Sequence, residues 1–292
     1  MTTLFDQSAS NDDVGSERAQ EFAREHPRLV QLGRVGWAAN GVVYALMGAL
    51  AFTIAGQSAG TTTGQGEEAS KSGAIATIAE QPAGAALLIA IAIGLALYAI
   101  WKLVSLVLPA DNDAHAWVSR LGSLLGAVSY VALGWTALSI ALRPGTSDGS
   151  NGSRVETYTR RVLDATGGRF LIFAIGLGVV GLGGYYLYKA WNATFESDLA
   201  PGSVGPLSHH ALVNMGRVGW LGRGLMVALI GSFLTRAAMQ FDPDDAVGLD
   251  GALRRVAGSP LGTALVAVVA LGLIAYGVFC IVSAPRRRLT SV

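Results

Sequence analysis

"RVGWAANGVVYALMG" (residues 34–48) decides the fold, because its pattern occurs three times. "RLGSLLGAVSYVALG" begins at Arg120 and "RVGWLGRGLMVALIG" begins at Arg217. In each copy a glycine stands two residues after the arginine and another stands fourteen after it. Between them lie Gly41, Ala127 and Gly224, each seven residues before Gly48, Gly134 and Gly231. A spacing of seven places both small residues on one face of a helix. Small residues on one face let two helices approach closely in lipid, so these six positions are expected to be packing sites. Tyr44 and Tyr130 share that face, with Val227 in the third copy.

Working outward, each copy opens an apolar run long enough to span a bilayer, which takes about 20 residues. Six such runs are present, near 35–55, 83–108, 121–142, 170–190, 218–238 and 261–284. Backbone groups in lipid must be bonded within the element, so these runs are predicted to be helices. Gly and Pro cluster between them, as in "LRPGTSDGSNGS" (142–153) and "APGSVGP" (200–206). Composition agrees. Only 14% of the 292 residues are charged and 51% are hydrophobic, against about 25% charged in soluble domains. A net charge of +1 provides no field that would select nucleic acid. The lone cysteine, Cys280, excludes an internal disulfide. The polar first 35 residues hold no apolar core of signal-peptide type, so the first span is expected to act as its own insertion signal.

The even spans repeat as well. "GLALYAIWK" ends at Lys102, "GLGGYYLYK" at Lys189 and "GLIAYGVFC" at Cys280. Gly94, Tyr98 and Trp101 share a face, as do Gly181, Tyr185 and Tyr188, and Gly272, Tyr276 and Phe279. A short apolar pattern precedes each even span, at Ile75/Ile78, Val162/Ala165 and Leu253/Val256. These are predicted to be short amphipathic helices on the membrane surface. The predicted fold class is an all-α membrane protein of six transmembrane helices. They form three repeated helix pairs in a pseudo-threefold arrangement, with a surface helix inside each pair. The chain divides into a polar tail (1–30), repeat 1 (31–108), repeat 2 (116–192), repeat 3 (211–285) and a basic tail (286–292).

The threefold Arg-x-Gly helix start, followed by a Gly-x3-Tyr-x3 helix ending in Lys, resembles the bacterial domain-of-unknown-function family numbered 1206. The resemblance covers roughly residues 31–284 and implies helix pairs present three times in a bacterial membrane. It implies no activity. The second copy lacks the Gly and Trp that flank Arg-x-Gly, and the third ends in Cys280 where the others have Lys.

Charge placement predicts orientation. Arg18, Arg24, Arg28 and Arg34 precede or begin the first span, and the first loop beyond it carries only Lys71. Positive residues favour the cytoplasmic side, so both termini are expected there, in the inner (plasma) membrane.

Motifs that could carry chemistry are sparse. Gly176-x-Gly178-x-x-Gly181 matches a nucleotide fingerprint, but it lies inside a span with no strand before it. It is read as helix packing, as are the pairs Gly122/Gly126 and Gly258/Gly262. His26, His115, His209 and His210 lack metal-ligand spacing and are read as polar loop residues. Cys280 lies in an apolar helix and is read as a small buried hydrophobe. The expectation is therefore no catalytic residue, no metal and no cofactor, and a protein that is not an enzyme. None of the six spans contains Asp or Glu, which disfavours a carboxylate-based ion carrier.

One charge does enter a span. Arg223 lies six residues past Arg217, about 9 Å deeper at 1.5 Å per residue. Its counterparts are Asn40 and Gly126, so it breaks the repeat. With Arg34, Arg120, Arg217, Lys102 and Lys189 at the cytoplasmic boundary it forms a candidate layer for anionic lipid headgroups. Tyr98, Trp101, Tyr185, Tyr188 and Tyr276 are its candidate aromatic lining. Membrane lipids are the expected partners, with other membrane proteins after them. The expected role is a non-catalytic accessory or scaffold, with lipid as its candidate ligand. The alternative is a channel or carrier for a small solute, anionic if Arg223 takes part.

Overall fold

A computed structural model of the chain describes residues 27–58, 78, 84–107, 114–142, 158–163, 167–199, 209–240, 246–247 and 249–286. Among these the regular secondary structure is helical. The long helices are α1 (Pro27–Ser58), α2 (Gly84–Val107), α3 (Ala114–Leu142), α4 (Gly168–Asn192), α5 (His209–Gln240) and α7 (Pro260–Ser283), with the short α6 (Leu249–Val256) before the last. Each predicted span falls on one long helix. Four helical stretches are long and apolar enough to cross a membrane: Gly33–Ser58, Gly168–Asn192, His209–Gln240 and Pro260–Ser283. Within α2 and α3 the apolar stretches Gly84–Ile100 and Gly126–Leu142 are shorter.

Local chemistry sets the helix ends. Ser259 is extended, and its hydroxyl accepts from the Gly262 amide at 3.1 Å, so it caps α7 with Pro260 next. Gly167 enters α4 at φ 81°, a left-handed conformation that glycine adopts without strain. Ala193 ends α4 at φ 51°, and a 3-10 turn, Thr194–Asp198, follows. The third expected surface helix is α6. Its buried residues are Leu249, Ala252 and Leu253, while Asp250 and Arg254 pair at 2.8 Å on its outer side. For the second, residues 158–163 are helical, with Leu163 buried and Val162 partly buried. For the first, Ile78 is helical and buried. Ile75 and Ala165 fall outside the described residues.

The helices follow the repeats in their packing. α1 packs on α7, α3 on α2 and α5 on α4, so each odd span meets an even span of another repeat. Glycine makes those approaches possible. A Cβ on Gly41 would lie 2.7 Å from the Gly277 carbonyl oxygen, and one on Gly48 would lie 2.7 Å from the Ile274 nitrogen. Gly224 and Gly231 meet α4 in the same manner, at 3.1 Å from the Gly183 oxygen and 2.6 Å from the Val180 nitrogen. Gly134 is looser, at 3.4 Å from the Ala92 oxygen, and Ala127 is buried. All six small residues thus lie on packed faces.

Pairing within a repeat is different. In repeat 1, Gly36 and Gly94 let α1 and α2 touch, with Gly36 against Tyr98. In repeat 3, Gly219 lies against Tyr276 and Gly222 against Gly272, joining α5 and α7. These are the same repeat positions. In repeat 2, the equivalents Gly122, Gly181 and Tyr185 are all present in sequence. Yet among the described residues α3 and α4 are not packed along their length. Nothing lies within 4 Å of a Cβ built on Gly178 or Gly181. The helices therefore run in space as α3–α2–α1–α7–α5–α4, with a seam between the two spans of repeat 2.

Two packing expectations need correction. Gly176 does pack, against Thr235 of α5, but Gly178 and Gly181 face the open side of α4. Gly258 lies in the turn before α7, and a Cβ on Gly262 would strike the Val256 carbonyl oxygen. That pair shapes the α6–α7 corner and does not join two spans.

Candidate functional site

Arg223 lies among aromatic rings from four helices. Its guanidinium carbon is 5.5 Å from the centre of the Tyr44 ring on α1 and 4.7 Å from Tyr186 on α4. It is 5.1 Å from Trp220 on its own helix and 5.0 Å from Tyr276 on α7. Rings this close stabilise a cation through their quadrupoles, more so once water is excluded. Arg223 Nη1 also donates to the Tyr276 hydroxyl. The register explains the geometry. Trp220 and Arg223 are three apart on one helix face, and α5 turns that face toward α7 because Gly219 and Gly222 admit Tyr276 and Gly272.

The rings continue outward from this cage. Tyr276 lies against Tyr44 at 4.9 Å, Trp220 at 5.3 Å and Trp37 at 6.2 Å between centroids. Trp37 meets Tyr98 at 5.9 Å, and Tyr98 meets Tyr130 at 4.7 Å. Most of these pairs are edge-on or tilted, as ring quadrupoles favour. The Trp37 indole donates to the Ser283 hydroxyl at 3.3 Å, tying α1 to the end of α7. Lys189 Nζ lies 4.8 Å from the Trp220 ring, at the edge of the cluster.

Among the described residues several buried polar side-chain atoms have no hydrogen-bond partner: Arg223 Nε, Trp220 Nε1, both side-chain polar atoms of Asn40, and Arg34 Nε. Asn40 is wholly buried. Leaving a polar group buried without a partner costs about 1–3 kcal/mol.

The candidate layer is brought together only in part. Arg223 and Lys189 share Trp220, while Tyr98 and Tyr276 are buried in the ring cluster. Arg34 and Lys102 are half-buried and Arg217 is exposed. The side chains of Arg120 and Trp101 are outside the described residues. Tyr185 and Tyr188 do not line the site: they lie 55% and 59% exposed on the outer side of α4. α4 presents Gly176 and Gly183 to α5, and this rotation turns Tyr186 inward in their place. Reading the sequence missed Tyr186, Trp37, Trp220 and Asn40. Trp37 and Trp220 were readable as equivalent positions of the verbatim "GRVGW" repeat, and Asn40 as the counterpart of Arg223. The histidines also differ from expectation. His209 and His210 begin α5, and His209 Nε2 lies 2.7 Å from Glu196 Oε1. His115 lies in α3, and His26 is outside the described residues. Cys280 is buried on α7, near Gly41 of α1.

Comparison with known proteins shows the threefold repeat. The model of the family described as Domain of Unknown Function (DUF1206) matches residues 35–105, 121–193 and 218–287. The chain is 32% identical over 267 residues to the uncharacterized protein YxxB of Bacillus subtilis (strain 168), covering 90% of this chain and 93% of that one. No solved structure matches. The chain belongs to the DUF1206 family.

Proposed function

We propose that the chain is a six-span protein of the bacterial inner membrane with no catalytic role, acting as a membrane scaffold or accessory that holds anionic lipid. α2 and α3 complete the six. At 24 and 29 residues, and about 1.5 Å of rise per residue, each exceeds the roughly 30 Å hydrocarbon core. The basic N-terminal flank of α1 favours placing both termini in the cytoplasm. The three repeats form a pseudo-threefold set whose middle pair is splayed. Arg34, Arg217, Lys102 and Lys189 then lie at the cytoplasmic boundary, where lipid phosphate is the abundant anion.

The observation that carries the scaffold reading is the close packing of the helices. Glycine brings helix backbones into direct contact, and tyrosine and tryptophan rings pack on one another and against Arg223. A groove of about 370 Å³ between α2 and α3, lined by Ile93, Ala96, Ile100, Val131, Trp135 and Leu138 among others, is wholly apolar and suits an acyl chain. The second reading, a channel or carrier for a small anion, is favoured by Arg223 alone. Two measurements separate them. Native mass spectrometry of protein taken from its own membranes should show retained anionic lipid. Liposomes containing the protein should pass chloride, phosphate and acetate no faster than empty liposomes. Anion flux above the empty control would replace the scaffold reading with the carrier.

A further inference from the structure

We infer that Asn40, Trp220 and Arg223 form an internal site for one phosphate group that also bears, or adjoins, a hydroxyl. This deepens the lipid-holding reading and rests on it, moving the bound headgroup from the boundary into the bundle. Repeat 1 places Asn40 where repeat 3 has Arg223 and repeat 2 has Gly126. On α1, Asn40 is three residues after Trp37 and four before Tyr44, so the three share a face. Both of those rings pack on Tyr276, the residue whose hydroxyl accepts from Arg223. Asn40 therefore belongs to the wall that meets the Tyr276–Arg223 pair. At the third position Gly126 contributes no side chain, and a Cβ there would meet only the Tyr130 ring, at 4.0 Å.

Hydrogen-bonding capacity defines the ligand. The unpartnered donors are Arg223 Nε, Trp220 Nε1 and Asn40 Nδ2, and the unpartnered acceptor is Asn40 Oδ1. Three donors beside a guanidinium call for an anion with several acceptor oxygens. The lone acceptor calls for one hydroxyl on the same molecule. The spans supply no carboxylate that could serve instead. A phosphate with a neighbouring hydroxyl meets both demands, either as the headgroup of phosphatidylglycerol or as free hydrogen phosphate. The seam between α3 and α4 offers the lipid a lateral way in. Tyr186 on α4 is 4.7 Å from Arg223, and Tyr130 on α3 joins the ring cluster through Tyr98, at 4.7 Å between centroids.

The test is thermal unfolding of the full chain in detergent, titrated with four probes. These are dioctanoyl-phosphatidylglycerol, dioctanoyl-phosphatidylcholine, sodium phosphate, and sodium chloride at matched ionic strength. The parent should be stabilised by phosphatidylglycerol and not by phosphatidylcholine or chloride. Asn40→Leu and Arg223→Gln should weaken that effect by about tenfold to a hundredfold, the worth of a hydrogen bond to a charged group. Arg217→Gln, at an exposed boundary position, should keep it. Asn40→Leu removes a polar group buried without a partner, so it should fold at least as stably as the parent without ligand. Stabilisation by sodium phosphate as well identifies free phosphate as a source, whereas stabilisation by phosphatidylglycerol alone identifies the lipid. Equal stabilisation by both lipids, no stabilisation at all, or an unchanged response in Asn40→Leu overturns the internal site. If lipid is still retained in native mass spectrometry after such a result, the boundary reading stands and only the internal site falls.

Discussion

Replacing Gly48 by alanine adds one methyl group where the α1 and α7 backbones approach closely. That methyl would lie 2.7 Å from the Ile274 nitrogen, and 2.8 Å from both the Ala270 oxygen and Ile274 Cγ1. Comfortable carbon contacts begin at about 3.5 Å, so the helices must separate by roughly 0.8 Å at this level. Two of the three obstacles are backbone atoms, which cannot rotate aside. Separation here also loosens Gly41 against Gly277 one turn pair away. Overpacking of this kind costs about 1–3 kcal/mol. At roughly 2–4 °C per kcal/mol for a chain of this size, the melting temperature in one fixed detergent should fall by about 2–12 °C. Gly178→Ala is the matched control. It adds the same methyl to a spanning helix where nothing lies within 4 Å, and alanine favours a helix over glycine by up to about 1 kcal/mol. It should leave the melting temperature unchanged or raise it. An equal fall in the two variants would refute the packed stripe and leave only an intrinsic intolerance of alanine for glycine.

Other expectations are narrower. Ser259→Ala removes the cap of α7 and should cost about 1 kcal/mol, read as a lower midpoint of unfolding; no change would show the cap to be redundant with Pro260. Arg169 donates from Nε and Nη2 to the Ala238 and Met239 carbonyls, each at 3.0 Å, at the far end of α5. Arg169→Gln should therefore speed proteolysis near the α4–α5 contact, and an unchanged cleavage rate would count against it. A reporter active only in the cytoplasm should be active when fused after Val292 and silent after Gly64, and the opposite pattern would reverse the proposed orientation.

The helices and their small-residue faces were legible because both obey a rule of spacing. Gly41 and Gly48, or Gly224 and Gly231, lie seven apart on a helix whatever their partner is, and the repeat shows that the spacing is no accident. Arg223 was legible because a charge in an apolar run is costly anywhere. The rotation of α4 was not. Tyr185 and Tyr186 are adjacent, about 100° apart around the axis, and the Gly-x3-Tyr pattern selects Tyr185. The choice is made by Gly176 and Gly183 fitting α5, a contact between elements that no local pattern encodes. The seam was readable only in part: repeat 2 retains Gly122, Gly181 and Tyr185, but it carries Leu125 where the two packed repeats place the small residues Ala39 and Gly222 against the even helix. The paired histidines were misplaced because α5 begins before its apolar run does.

The seam falls near the middle of the chain and divides it into two bodies of consecutive helices. α3, α2 and α1 adjoin one another on one side, and α7, α5 and α4 on the other, meeting where α1 crosses α7. Among the described residues, every extensive contact between the long helices is thus either inside one half or across that single crossing. On the proposed six-span topology, a gene severed between α3 and α4 would encode two three-helix halves, and Gly41, Gly48 and Gly277 are the contacts through which they would associate without a covalent join.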